Sequence, residues 1–219
     1  MWIEFSALID IIHFVNTYKK VLTVIFLAVW IWSALRPTEM QNWLLENILV
    51  FLFVPVLLVM IYTFKISNLS YSLIIAFMIM HIIGASYTYN QAPLGYAIGR
   101  WFASTRNVYD LFVHLSFGLL FFYPIREVCM QMLKTKIFWS YFLPFTIILA
   151  ASSLYEVAEW LIAINVSPGA AESFIGAQGD FWDTQKDMAA AAVGALLANA
   201  ILHIKYMFKP LPASAEVVV

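Results

Sequence analysis

The chain has 219 residues, of which 63% are hydrophobic and 11% charged, with a mean hydropathy of +0.84. Soluble domains run near half apolar and a quarter charged, so an ordinary soluble domain is excluded. The formal charge of −1 recommends no nucleic acid, and the single cysteine, Cys129, excludes an intrachain disulfide and a multi-thiolate metal site.

Residues 1–19 carry Glu4, Asp10 and His13 among Trp2, Ile3, Phe5, Leu8, Ile9, Ile12 and Phe14, a pattern expected of an amphipathic helix lying in the membrane interface. It does not read as a signal peptide, because Lys19 and Lys20 follow the apolar stretch and no small-x-small site closes it. Six apolar segments follow, at 20–36, 44–64, 69–89, 108–125, 137–163 and 185–207. Each is near the ~20 residues that cross a bilayer core. The fifth is long, and Pro144 is placed to kink it. Residues 210–219 read as a disordered tail. The expected fold is all-α: a polytopic membrane bundle of about six transmembrane helices, one domain over 20–209. Its halves share no matched Gly/Pro-broken spans of the kind seen in inverted-repeat transporters.

The basic residues set an expected orientation. Lys19, Lys20, Lys65, Arg126, Lys134, Lys136, Lys205 and Lys209 collect on one side, against Arg36, Arg100, Arg106 and Lys186 on the other. The richer side is expected to be cytoplasmic, with both termini inside. Acids show the reverse bias: Glu39, Glu46, Asp110, Glu156, Glu159, Glu172, Asp180, Asp183 and Asp187 fall on the outer side or in its half of a helix.

Four helix ends on that outer side carry polar groups. The third span ends with His81 and Tyr87-Thr88-Tyr89, and the fourth begins with Tyr109-Asp110 and His114. The fifth ends with Tyr155-Glu156 and Glu159-Trp160, and the sixth begins with Asp183 and Asp187. Asp110 and His114 are four apart, Glu156 and Glu159 three, Asp183 and Asp187 four, so each pair shares a helical face. His81, Asp110, His114, Glu156 and Asp187 are the candidate metal ligands. Imidazoles among carboxylates suit zinc, manganese or iron, whereas magnesium prefers oxygen alone. Asp183 or Glu159, outside the coordination sphere, is the candidate general base. Arg100, Arg106 and Tyr89 are candidates to hold an anionic headgroup.

Each residue also has a structural reading. His81, or Asp110 with His114, can be a hydrogen-bonded helix contact, and Glu159 beside Trp160 an interfacial residue. Asp180 can cap the last helix and Asp183 can oppose its dipole. Arg106 can pair with Asp110. Glu46, Lys186, His13 and His203 read as structural, and Gly194 with Ala189 to Ala192 as a close helix contact. Intramembrane ionisable residues found together favour a site.

The segments His81-x-x-Gly84 with Tyr87-Thr88-Tyr89, Tyr109-Asp110-x-x-x-His114, Glu156-x-x-Glu159-Trp160 and Gly176-x-Gln178-Gly179-Asp180-x-Trp182-Asp183-x-Gln185-Lys186-Asp187-Met188 resemble the YjdF-like family of bacterial inner-membrane proteins, classed as a domain of unknown function (2238). The resemblance covers roughly residues 20–208 and implies a polytopic inner-membrane protein. From Glu156 to Gly194 the chain is also similar, more weakly, to VanZ-like membrane proteins. These too set a Glu-rich helix end before an Asp-x-x-x-Asp helix start, but Trp182, Lys186 and the two extra histidines depart from them.

The residues together lead us to expect a metal-dependent hydrolase or transferase in the bacterial inner membrane, acting on a lipid or lipid-linked substrate at the outer face. Two alternatives stand beside it. One is a small proton- or cation-coupled transporter; the other is a non-catalytic envelope assembly or stress protein whose cluster is a salt-bridge network.

Overall fold

The computed structural model describes residues 16–133 and 137–207. The expected tail over 210–219, and the expected interfacial helix over 1–19 apart from its last residues, lie outside them. Among the described residues there are eight helices: α1 (Thr17–Leu35), α2 (Met40–Phe64), α3 (Asn68–Ser86), α4 (Pro93–Trp101), α5 (Tyr109–Leu133), α6 (Ile137–Ala163), α7 (Pro168–Ile175) and α8 (Asp183–Met207). Six of these, all but α4 and α7, contain stretches long and apolar enough to cross a membrane. The chain is a polytopic membrane helix bundle.

Local chemistry places the helix ends. Asn16 opens α1 by accepting from Lys19 N at 3.0 Å, and Ser67 opens α3 by accepting from Ser70 N at 3.1 Å. Glu127 of α5 reinforces that start from across the bundle, accepting from Ser67 N at 3.0 Å and from the hydroxyls of Ser67 and Ser70. Pro93 and Pro168 sit in the first turns of α4 and α7, where a missing N–H costs nothing. These two short helices lie in what the sequence presented as loops.

Two ends depart from expectation. α3 stops at Ser86 instead of 89, because Tyr87 N and Tyr89 N both turn back to Gly84 O, at 3.0 and 2.8 Å. Thr88 and Tyr89 then take left-handed backbone, with φ of 55° and 53°. α5 runs past 125 to Leu133 because its polar residues are covered by protein. Arg126 is 4% exposed, lies over the Tyr141 ring at 4.6 Å and donates to Ser140 Oγ at 3.4 Å. Pro144 lies buried inside the continuous α6.

α5 is the central helix, packed on α8, α3 and α6, while α1 and α2 pack on α3 from the far side. Contact between α5 and α8 is closest where side chains vanish. A Cβ on Gly118 would lie 1.9 Å from Ala191 O, and one on Gly194 would lie 2.0 Å from Leu115 O. Ala191 and Ala195 are fully buried in that seam, against Phe122 and Ile148. Large apolar side chains such as Leu35, Leu52, Leu154 and Ile201 point outward, as suits hydrocarbon as the surrounding solvent. At one end of the bundle α1, α3 and α6 finish and α2, α5 and α8 begin, with α4 and α7 between them. Thr38 N ties α2's approach to Ser86 O there at 2.9 Å.

Candidate functional site

The loops at that end are locked to one another before any ionisable group is considered. Asn107 Oδ1 accepts from Tyr109 N at 2.9 Å, starting α5, while its Nδ2 donates to Ala92 O at 2.8 Å. Gly95 lets it approach, since a Cβ there would lie 1.8 Å from Asn107 Oδ1. Asn107 and Gln178 then bond reciprocally: Asn107 N donates to Gln178 Oε1 at 3.0 Å and Gln178 Nε2 to Asn107 O at 2.9 Å. Arg106 completes the join. One of its terminal nitrogens pairs with Asp180, and the other donates to Asp183 Oδ1 at 2.8 Å and to Ala177 O at 2.7 Å. Lys186 Nζ reaches Asp180 at 2.5 Å. Lys186, Trp182 N and Arg106 hold the Asp180 carboxyl below the ordinary aspartate range. Burial opposes the Arg106 charge, but Asp183 and Asp180 outweigh it and raise its pKa.

Behind this frame lie the groups that can hold an ion. Asp110 and His114 share a face of α5, and the closely packed α8 brings Asp187 opposite them. One ligand atom from each of the three lies within 4.8 Å of the other two. His114 Nε2 is 3.5 Å from Asp110 Oδ1 and equally 3.5 Å from Glu156 Oε1 of α6. Glu156 is 6% exposed, and its Oε1 has no hydrogen-bond partner among the described residues. An orphaned buried carboxylate oxygen beside an imidazole and two further carboxylates fits a divalent cation, which would supply the missing charge. A cavity of about 360 Å³ opens beside the group, with Asp110 and Asp187 on its wall together with Asp183, Asp180, Arg106 and Lys186.

The other candidates take different places. His81 is buried one layer away with both ring nitrogens engaged: Nε2 bonds Glu46 O at 3.1 Å and Nδ1 bonds the Tyr89 hydroxyl at 2.5 Å. A carbonyl only accepts, so Nε2 carries the proton and Nδ1 accepts from Tyr89. That leaves His81 no lone pair for a metal. Tyr89 is 6% exposed and faces inward to His81, away from the cavity's lining. Burial keeps its hydroxyl protonated well above the ordinary tyrosine value. Glu159 is buried on α6, one turn beyond Tyr155, and outside the cavity's lining. Arg100 is exposed in the last turn of α4, outside the cavity wall. Arg106 meets Asp180 and Asp183, and the carboxylate it was expected to pair with, Asp110, faces His114. Sequence reasoning set Glu46 aside and passed over Asn42, Asn107 and Gln178. For the first two the available signal was a polar pair four apart in an otherwise apolar helix.

The family described as "Predicted membrane protein (DUF2238)" matches residues 18–207. The chain belongs to this family. Within reach of the same match is the protein named "Inner membrane protein YjdF" of Escherichia coli (strain K12), 34% identical over 182 residues, covering 83% of this chain and 85% of that protein. No solved structure matches. The family match begins one residue inside α1 and closes with α8, so it takes in the whole six-span bundle and every candidate site residue.

Proposed function

We propose that this chain is a multi-pass inner-membrane enzyme that uses a divalent metal ion to hydrolyse, or transfer a group from, a lipid or lipid-linked substrate at the outer membrane face. The observation that carries this reading is the convergence of Asp110, His114 and Asp187 ligand atoms within 4.8 Å, beside an orphaned Glu156 oxygen and an adjoining cavity. Asp110, His114 and Asp187 would hold the ion, with Glu156 as a fourth ligand or just outside them. A divalent ion there would supply Lewis acidity and lower the pKa of a bound water. Asp183, on the cavity wall, is placed to accept a proton from that water. Arg106 and Lys186 make that wall cationic, and an anionic headgroup would compete there with Asp180.

The excess of Lys and Arg at the end opposite the site supports a cytoplasmic location for that end, with both termini inside. The relative's printed name, an inner membrane protein, supports the choice of membrane.

Metal content of the detergent-purified protein, by elemental mass spectrometry, tests the reading. Close to one zinc, manganese or iron per chain is expected, and His114→Ala or Asp187→Asn should lose it while remaining folded. Unchanged stoichiometry in both variants would sink the assignment. A second reading, a cation- or proton-coupled carrier, is favoured by the polar groups that continue from Asp110 toward Glu46. The apolar interior beyond them, with Val50, Ile74 and Phe121 buried, argues against a path through the bundle. Absence of metal in the wild type would turn the work to reconstituted flux.

A further inference from the structure

A second set of polar side chains lies between α2 and α6, beside the Asp110 group. Glu46 and Glu159 are 3% and 8% exposed. The Tyr155 hydroxyl is 3.4 Å from Glu46 Oε2, and Glu159 stands one turn further along α6 on the same face. A phenol has one hydrogen, so this donor cannot neutralise two buried carboxylates.

Asn42 supplies an independent sign that something else belongs there. It is 2% exposed, and neither its Oδ1 nor its Nδ2 has a hydrogen-bond partner among the described residues. Buried amides are rarely left so. Register locates it. Asn42 and Glu46 stand one turn apart on one face of α2, and Glu46 meets Tyr155 of α6. α6 runs antiparallel to α2, so Asn42, one turn before Glu46, comes level with Glu159, one turn beyond Tyr155.

We propose that Asn42, Glu46, Tyr155 and Glu159 form a second site that binds a hard cation through oxygen ligands alone. Two carboxylates, an amide oxygen and a phenolic oxygen are the donor set of the calcium, magnesium and sodium class. A cation there compensates both carboxylates and satisfies Asn42 Oδ1, and the amide Nδ2 donates to a carboxylate oxygen or to a coordinated water. Of the two imidazoles beside it, His81 is committed to Glu46 O and Tyr89, and His114 packs edge-on against the Tyr155 ring, centroids 5.8 Å apart. The His114 group, with its imidazole, suits a softer ion. The two sites thus differ in occupant, and the second does not depend on the catalytic reading.

Thermal unfolding of the detergent-purified chain, titrated separately with sodium, magnesium and calcium chlorides at ionic strength held constant with choline chloride, tests this. The midpoint in the wild type should rise by a constant increment per tenfold increase in one of the three cations. Asn42→Ala and Glu46→Gln should lose that rise, and His114→Ala should keep it. Asn42→Asp, which adds a ligand charge, should shift the response to lower cation concentration and serves if the other variants fail to fold. A flat wild-type response to all three cations overturns the second site. So does a response that Glu46→Gln and Asn42→Ala retain, or one that His114→Ala removes. Absence of zinc, manganese and iron from the wild type, with the hard-cation response intact, would overturn the catalytic reading alone.

Discussion

His81 and Tyr89 show how one hydrogen bond decides the use of a residue. The carbonyl of Glu46 claims the Nε2 proton, so Nδ1 must accept from Tyr89, and the imidazole has nothing left to offer a metal. Tyr89→Phe removes that donor and strands a buried nitrogen, at a cost of about 1–3 kcal/mol. Chemical or thermal unfolding in detergent should show the loss, with metal content unchanged. Loss of metal in this variant would return His81 to the ligand set. Asp180 carries a pH signature. Lys186, Trp182 N and Arg106 lower its carboxyl in the folded state. Its contribution to loop docking is therefore complete above the ordinary aspartate value of about 4, and is lost only as pH falls through the depressed value. Hydrogen-exchange protection over residues 176–182, relative to the intrinsic rate at each pH, should hold at about pH 5 and fall in stronger acid. In Asp180→Asn the protection should be low throughout. Pairing of the same quality in that variant would mean that Asp183 alone anchors Arg106.

The seam between α5 and α8 brings the ligand group together at the scale of elements. Asp110 and His114 stand on one helix and Asp187 on the other, and the two backbones approach because Gly118 and Gly194 have no Cβ. Gly118→Val or Gly194→Val forces the helices apart. Each should cost about 1–3 kcal/mol or more by overpacking. Each should also lower metal stoichiometry without touching a ligand, as read by elemental mass spectrometry beside unfolding curves. Retained stoichiometry with normal stability would show that the seam yields without moving the site. Helix ends follow the same logic of local contacts against composition. A hydropathy window ends the fourth span near Arg126, yet α5 continues, because Tyr141 and Ser140 of α6 cover that guanidinium. Such a continuation is invisible to composition, since the covering residues come from another helix.

For the whole molecule, six candidate crossings and the charge bias support our proposal that the lysine-rich end faces the cytoplasm. In a Cys129→Ser background, a cysteine replacing Ser104 should react with an impermeant maleimide applied to intact spheroplasts, and one replacing Lys65 should not. The reverse pattern would invert the orientation and place the site on the cytoplasmic face. The site lies at one end, and the middle of the bundle beneath it is apolar, with Val50, Ile74 and Phe121 buried.

Much of this was legible from the chain alone. Runs of about 20 apolar residues require helices, since no other unpaired segment satisfies its backbone in lipid. The 3.6-residue period pairs Asp110 with His114 on one face. Up-down topology brings alternate helix ends together, which put the acidic residues at one end. Tertiary structure alone decided which of those groups meet. Asp110, His114 and Asp187 converge because two glycines admit a close approach, whereas His81, equally polar and nearly as deep, is taken by Tyr89 and a carbonyl. Glu46, ordinary in its own helix, is partnered only because Tyr155 of α6 reaches it. Periodicity is a local property and can be read along the chain, but partnership depends on rotation and distance between helices, which are set by the packing of every side chain between them.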